Sequence, residues 1–247
     1  MPNNNINSTV LITGSTSGIG REIAIRFAEN GWNLVCHYSS SEKKTKELKC
    51  KIDKFGVDSL FLKADFLIEE QLLSFVDKIS ELRIDSLVNN VGTYIVKKHF
   101  SKLSLYEIID TFKVNLFAPI ILTSSIFEQM KERRFGRIVN ISSIAAKYGG
   151  SSLSMHYGCS KLGLEGITKT IAREGAEYNV LVNTIRPGVI DTEFHKRFHK
   201  DNMERRISMI PMKKMGMPKD VAESAYYLGS DKNKFITNET IAISGGE

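Results

Sequence analysis

Tyr157 and Lys161 stand four residues apart in Tyr157-Gly158-Cys159-Ser160-Lys161, downstream of the adjacent hydroxyls of Ser142 and Ser143. On a helix, the i, i+4 spacing stacks a phenol and an ammonium on one face, one turn apart, close enough for the cation to stabilise a phenolate. A phenol ordinarily titrates at about 10, so such a neighbour brings it toward proton exchange at neutral pH. A second cluster opens the chain. Gly14, Gly18 and Gly20 in Thr13-Gly14-Ser15-Thr16-Ser17-Gly18-Ile19-Gly20 lack the side chains that would keep a backbone away from a phosphate at a helix N-terminus. Each cluster also has a plain structural reading: an amphipathic helix pair for the first, a tight strand-to-helix turn for the second.

Strand-like apolar runs alternate with helical ones from the start. Thr9 to Thr13, a helix from Gly18 to about Asn30, and Asn33 to Tyr38 form a parallel β-α-β unit with the glycines in its first turn. Helical periodicity then spans Glu42 to Phe55, strand character returns at Ser59 to Lys63, a helix covers Glu69 to Leu82, and Asp85 to Asn89 reads as a fourth strand. A long helical stretch from about Ser104 to Arg133, broken or bent near Pro119, leads to strand Arg137 to Ile141 and to the Tyr157 helix, expected over residues 155 to 178. Val180 to Ile185 and Thr240 to Ile243 are the last strands. This alternation predicts a single α/β domain over residues 1–247, a doubly wound parallel sheet of about seven strands with helices on both faces. Its ligands belong beyond the carboxyl ends of the strands.

Bulk properties narrow the function. The 42% hydrophobic and 25% charged composition is that of an ordinary globular protein. The formal charge of +6 is spread among acids, which argues against nucleic-acid binding. Three cysteines, Cys36, Cys50 and Cys159, have neither disulfide nor metal-ligand spacing, so no metal is expected. Cys159 is expected to pack rather than react. The N-terminal residues lack signal-peptide character, and no apolar stretch approaches the roughly 20 residues of a spanning helix, so we expect a cytoplasmic protein without membrane contact.

In doubly wound sheets the end of the second strand meets the adenosine ribose, where an acid prefers a free 2′-hydroxyl. Here that stretch reads His37-Tyr38-Ser39-Ser40-Ser41, then Glu42, Lys43 and Lys44. Hydroxyls followed by lysines suit a 2′-phosphate, favouring NADP(H) over NAD(H), although Glu42 argues the other way.

Taken in order, Thr13-Gly14 to Gly18-Ile19-Gly20, Asn89-Asn90-Val91-Gly92, Asn115 on a helix, Ser143, Tyr157 to Lys161 and Pro187-Gly188 resemble the short-chain dehydrogenase/reductases along essentially the whole chain. The resemblance implies a Rossmann-like fold and hydride exchange between a nicotinamide and a ketone or secondary alcohol. It implies Tyr157 as general acid/base, Ser143 rather than Ser142 as the polarising hydroxyl, Lys161 on the nicotinamide ribose, and Asn115 holding a water that relays protons to Lys161. It also implies cofactor contacts from Gly14, Ser15, Thr16, Ser17, Gly18, Ile19 and Gly20, from Tyr38, Ser39, Ser40 and Lys43, and from Asp65 and Phe66 at the adenine. Asn89, Val91 and Gly92 would lie at the adenosine ribose and central strands, and Pro187, Gly188, Ile190 and Thr192 beside the nicotinamide. Asp65 and Asn89 have local readings too, as a turn cap and as a strand-end hydrogen-bonding residue.

Within that family the chain looks most like the 3-oxoacyl-acyl carrier protein reductases, in Tyr38 to Glu42 and in Ile236 to Gly246. It departs from them at Val91 and at Thr93 to Lys97, and where those enzymes use two arginines to dock the carrier it has Arg134 and Tyr178. The substrate is thus a small ketone or an acyl thioester, with acyl carrier protein as one candidate partner; a sugar or polyol dehydrogenase and a non-catalytic nucleotide sensor are the alternatives. A substrate lid is expected at about residues 191–217, around Phe194, His195, Arg197, Phe198, Arg205, Arg206 and Met209. The family resemblance further implies a homotetramer or homodimer.

Overall fold

The computed structural model describes residues 8–193 and 203–247. Seven parallel strands, β1 (Thr9–Ile12), β2 (Asn33–Tyr38), β3 (Ser59–Lys63), β4 (Ser86–Asn89), β5 (Gly136–Ile141), β6 (Val180–Pro187) and β7 (Thr240–Ile243), form one sheet in the order β3-β2-β1-β4-β5-β6-β7. Both central strands β4 and β5 are buried throughout, as expected where helices cover each face of a parallel sheet. Alternate residues feed opposite layers. Val10, Ile12 and Val139 pack with Phe27, Trp32 and Tyr226 under helices α1 (Gly18–Ala28) and α9 (Pro218–Gly229), whereas Leu11, Leu87 and Ile138 pack with Phe75, Leu122 and Ala172 on the other side. That second layer contains α3 (Glu69–Ser80), α5 (Ala118–Glu132) and α7 (Met155–Gly175). Phe27 holds the first layer together with edge-to-face contacts at 5.2 Å to Trp32 and Tyr226, each worth about 1 kcal/mol beyond burial.

Strand order turns back between β1 and β4, because β2 and β3 extend the sheet one way and β5 to β7 the other. The loops leaving β1 and β4 therefore diverge and open a crevice at the carboxyl edge. Helix α2 (Glu42–Ile52) flanks β2, α4 (Leu105–Phe112) leads into α5, α6 (Ile144–Tyr148) follows β5, and α8 (Met203–Met209) lies within the expected lid.

Two expected helices are divided. The Ser104 to Arg133 stretch is α4, a π-helical segment Lys113–Phe117, and α5, so the irregularity precedes Pro119. Proline has no N–H to give the carbonyl of Asn115 four residues earlier, and the chain passes that point with a wider turn. The Tyr157 helix ends at Gly175 and tightens into a 3₁₀ turn over Ala176–Tyr178. Phe194, His195, Arg197 and Phe198 lie outside the described residues.

Candidate active site

The crevice widens into a cleft of about 910 Å³. After β1 the chain turns through Gly14, whose φ of +64° is in the left-handed region where glycine pays no steric cost. A Cβ on Gly20 would sit 2.3 Å from the Gly14 carbonyl oxygen, so the first turn of α1 rests directly on the loop. Asn90 fastens that loop: its Nδ2 donates to the carbonyls of Thr13 (2.9 Å) and Gly14 (3.2 Å). From the other side, Gly14 N–H donates to His37 Nδ1 at 3.0 Å. That bond fixes the tautomer, since the proton must then be on Nε2, which donates to the Ala64 carbonyl at 2.9 Å. The imidazole stacks on Phe66 with centroids 4.1 Å apart. Burial holds it neutral, pulling its pKa from 6.5 to about 4 against the opposing pull of the Ala64 carbonyl and Asp65.

On the same wall, the Tyr38 hydroxyl donates to Glu42 at 3.3 Å, and Lys63 reaches the same carboxylate at 3.4 Å. Ser41 caps α2 by accepting from Lys44 N–H. The Lys44 ammonium pairs with Glu193, so the start of the segment expected as a lid is tied to α2. Asp65 serves locally as well as facing the cleft: its Oδ1 accepts from Leu67 N–H at 3.0 Å.

Across the cleft, β5 delivers Ser142 and Ser143 to different tasks. Ser142 Oγ donates to Glu165 Oε1 at 2.7 Å, and Arg186 grips that carboxylate with bonds of 2.9 and 2.5 Å. Ser143 caps α6 by accepting from Ala145 N–H at 3.1 Å and is hydrogen-bonded to the phenol of Tyr157. Burial, and secondarily the phenol of Tyr94, push the Tyr157 pKa above its ordinary value, while Ser143 pulls the other way. Lys161 lines the same cleft as Tyr157. Its ammonium is turned onto the carbonyls of Ile141 (2.9 Å) and Val91 (3.4 Å), and burial lowers its pKa to about 7. A Cβ at Gly92 would lie 2.8 Å from Lys161 Nζ, so only glycine leaves the ammonium its place.

Asn115, in the π-helical segment, has both amide protons committed, to the Thr93 carbonyl (2.9 Å) and Ser160 Oγ (3.0 Å), and its Oδ1 accepts from Thr93 N–H (2.8 Å). One Oδ1 lone pair is what its side chain retains for a water.

Of the residues expected at the site, Gly14, Thr16, Ser17, Gly18, Ile19, Tyr38, Ser39, Asp65, Phe66, Val91, Gly92, Ser143, Tyr157, Lys161, Pro187, Gly188, Ile190 and Thr192 line one cleft. Ser15, Gly20, Ser40, Lys43, Asn89 and Asn115 are not on its wall. Ser15 is buried behind the loop, donating to the His37 carbonyl at 3.1 Å. Asn89 turns inward to steady the central strands through Asn140 (2.8 Å) and Thr123 (3.3 Å). Cys159 is exposed, not packed. The sequence reading missed His37, Asn90 and Tyr94, all of which line the cleft; for Asn90 the signal was its place beside Asn89 and before Gly92.

A family model described as short chain dehydrogenase matches residues 8–203. The chain belongs to the short-chain dehydrogenase family. It is 35% identical over 238 residues to a 3-oxoacyl-(acyl-carrier-protein) reductase of Aquifex aeolicus, covering 96% of this chain and 95% of that one. Its fold matches an Agrobacterium tumefaciens 3-oxoacyl-(acyl-carrier-protein) reductase with NADP bound, at TM-score 0.89 and 27% identity over 97% of this chain and 94% of that one. It equally matches a Beutenbergia cavernae protein provisionally named an NAD(P)-dependent gluconate 5-dehydrogenase, with NADP bound at low occupancy, at TM-score 0.90 and 28% identity over 97% and 96% of the two chains. As a short-chain dehydrogenase/reductase, the chain is an oxidoreductase of CH–OH or ketone groups that uses a nicotinamide cofactor. The residues present fit that group: Gly14 and Gly18, both in the left-handed region, line the cleft at the N-terminus of α1, where phosphates are favoured.

Proposed function

We propose that this short-chain dehydrogenase reduces a ketone to a secondary alcohol with NADPH, using Tyr157 as the proton donor. The observation that carries the reading is the Tyr157 phenol on the cleft wall, hydrogen-bonded to Ser143, with burial raising a pKa that already leaves it protonated at neutral pH. When bound, the nicotinamide supplies a hydride to the carbonyl carbon. The chain's part is to manage the oxygen: Ser143 and Tyr157 converge on it, and Tyr157 gives up its proton as negative charge develops there. A protonated phenol is ready to give a proton rather than take one, so reduction is the direction favoured near neutrality, and alcohol oxidation rises with pH.

Lys161 spends two of its three donors on the Ile141 and Val91 carbonyls, and the third serves the nicotinamide ribose and the phenolate formed in turnover. Reprotonation runs through Lys161 to a water at Asn115, whose carbonyl has no α-helical donor because residue 119 is proline.

Preference for NADPH rests on Ser39 at the cleft wall, the N-terminus of α2 beyond it, and Lys43, with Glu42 occupied by Tyr38 and Lys63. Calorimetry should rank NADPH above NADH, and the reverse ranking would remove this part of the reading. A free small ketone or acyl thioester suits the chain better than a carrier-bound one. The Arg134 guanidinium donates to the Glu177 carbonyl, and Lys131 over the Tyr178 ring is paired with Glu128 and Glu174, so these cations of the expected docking face are already engaged within the chain. The likeness to the provisionally named gluconate dehydrogenase keeps a sugar acid as the second reading. Exposed Phe117, Ile120 and Leu162, on and beside α5 and α7, support self-association.

The test is NADPH absorbance with a panel of small ketones, 3-oxoacyl thioesters and keto sugars. Turnover of the first two groups is expected; keto sugars alone would favour the second reading, and dinucleotide binding without any turnover would sink the enzymatic one.

A further inference from the structure

The connection from β4 to α4 does more than join two elements. Lys98 N–H donates to the Leu153 carbonyl at 3.2 Å and Phe100 N–H to the Ser152 carbonyl at 2.9 Å, so this segment lies as a strap along the turn that precedes α7. His156, beside Tyr157, is hydrogen-bonded through Nε2 to the Val96 carbonyl at 3.0 Å. At its other end the strap is clamped by Asn115, which both donates to and accepts from the main chain of Thr93. Between these anchors stands Tyr94, nearly buried, its ring 4.3 Å from the ring of Tyr157 at an interplanar angle of 35°. Its hydroxyl is hydrogen-bonded to Ser154, the residue before α7, which is itself held by Ser151 N–H at 2.9 Å.

Tyr94 thus grips the helix that carries Tyr157 at two points, the ring of Tyr157 and the residue three positions before it. A phenol has only two side-chain torsions, and the face of its ring must be supported if the hydroxyl is to meet one particular oxygen. Ser143 supports the Tyr157 hydroxyl from one side, and the Tyr94 ring packs against the Tyr157 ring from the strap.

We propose that Tyr94 is a positioning residue for the reaction: the strap, clamped by Asn115, presents the Tyr94 ring as the backing plate that aims the Tyr157 hydroxyl at the substrate oxygen. This rests on the reading of Tyr157 as proton donor. It gives Asn115 a second task, since the same side chain beside Lys161 also sets the strap. It also explains how the chain can depart from its relatives over Thr93 to Lys97 and retain the donor geometry, because this strap brings its own aromatic support.

Steady-state ketone reduction by Tyr94→Phe, Tyr94→Leu and Tyr94→Ala tests the idea, with melting temperature and NADPH binding measured for each. Misplacement of a reacting group by about 1 Å costs on the order of a hundredfold. Tyr94→Ala and Tyr94→Leu should therefore lose about ten- to a hundredfold in kcat with KM for ketone and Kd for NADPH within about threefold, while Tyr94→Phe, which keeps the ring face, restores most of kcat. Tyr94→Leu keeps the volume filled should the alanine variant melt early. Wild-type kcat in the leucine variant, a change confined to KM, or failure of phenylalanine to rescue would each overturn the proposal. Tyr157→Phe in the same assay separates the two levels: if it alone keeps its rate, the donor assignment has failed, whereas if it is dead and the Tyr94 variants are normal, only the positioning role has.

Discussion

In the glycine loop, side chains hold main-chain groups in place: His37 takes the N–H of Gly14, and Asn90 gives protons to the carbonyls of Thr13 and Gly14. Across the cleft the relation is inverted, because main-chain carbonyls of Ile141 and Val91 hold the Lys161 ammonium, and the main chain of Thr93 holds Asn115. On the function proposed here, the difference follows from what each wall handles. A pyrophosphate is recognised by N–H groups and a helix dipole, so the backbone must be shaped and the side chains are tools for shaping it. A proton has to sit on a particular oxygen or nitrogen, so side chains must be aimed, and the rigid ends of β4 and β5 supply fixed carbonyls to aim them.

The comparison can be broken by substitution. After Tyr157 itself, the largest effect should come from Ser143→Ala, expected to lower kcat for ketone reduction by about a hundredfold or more with little change in NADPH binding. Ser142→Ala, one residue away, should leave kcat within a few-fold and act instead on thermal stability, since Ser142 is engaged with Glu165. Equal kcat losses from the two serines would erase the distinction. On the nucleotide wall, Gly20→Ala puts a Cβ 2.3 Å from the Gly14 carbonyl, and the displaced loop should weaken NADPH binding by about tenfold or more while saturating rates stay comparable. Unchanged affinity by calorimetry would mean the loop has slack that its packing denies.

His37→Leu should have a modest effect and the most diagnostic pH dependence. It leaves the Gly14 N–H without its acceptor, at a cost of about 1–3 kcal/mol, weakening NADPH binding by roughly tenfold. In the wild type the folded imidazole titrates at about 4 rather than 6.5. The unfolded chain therefore binds a proton that the folded chain refuses, and stability falls as pH drops from 6.5 toward 4. Above 6.5 this contribution is constant. The leucine variant should lack that part of the acid slope in denaturant titrations, and an identical slope would show that His37 is not the group responsible.

Much of the architecture was readable because its signals are local. Gly14, Gly18 and Gly20 mark a strand-to-helix turn within eight residues of chain, and Thr240 to Ile243 is a strand by composition alone. Contacts between distant segments were not readable. The partners of Lys161 are carbonyls 20 and 70 residues away, which any residue type could supply, so the seating of its ammonium left no mark in the sequence. His37 was equally silent, since a single histidine ending a strand has the same composition whether it is packed in a core or shaping a loop. The division of the Ser104 to Arg133 helix was only half legible: Pro119 signalled a disturbance, but the π-helical adjustment over Lys113–Phe117 depends on seating Asn115 against Thr93 and Ser160. Ser143 was chosen over Ser142 by resemblance, and the division of labour between them emerged only with Glu165 and Arg186 in view.

In the proposed reaction one phenolic proton completes the chemistry, and Tyr157→Phe removes that hydroxyl while keeping the ring beside Tyr94. With NADPH and a reducible ketone from the panel, the variant is expected to bind NADPH as the wild type does and to turn over about a thousandfold more slowly. A rate within a few-fold of wild type, at unchanged NADPH affinity, would contradict it.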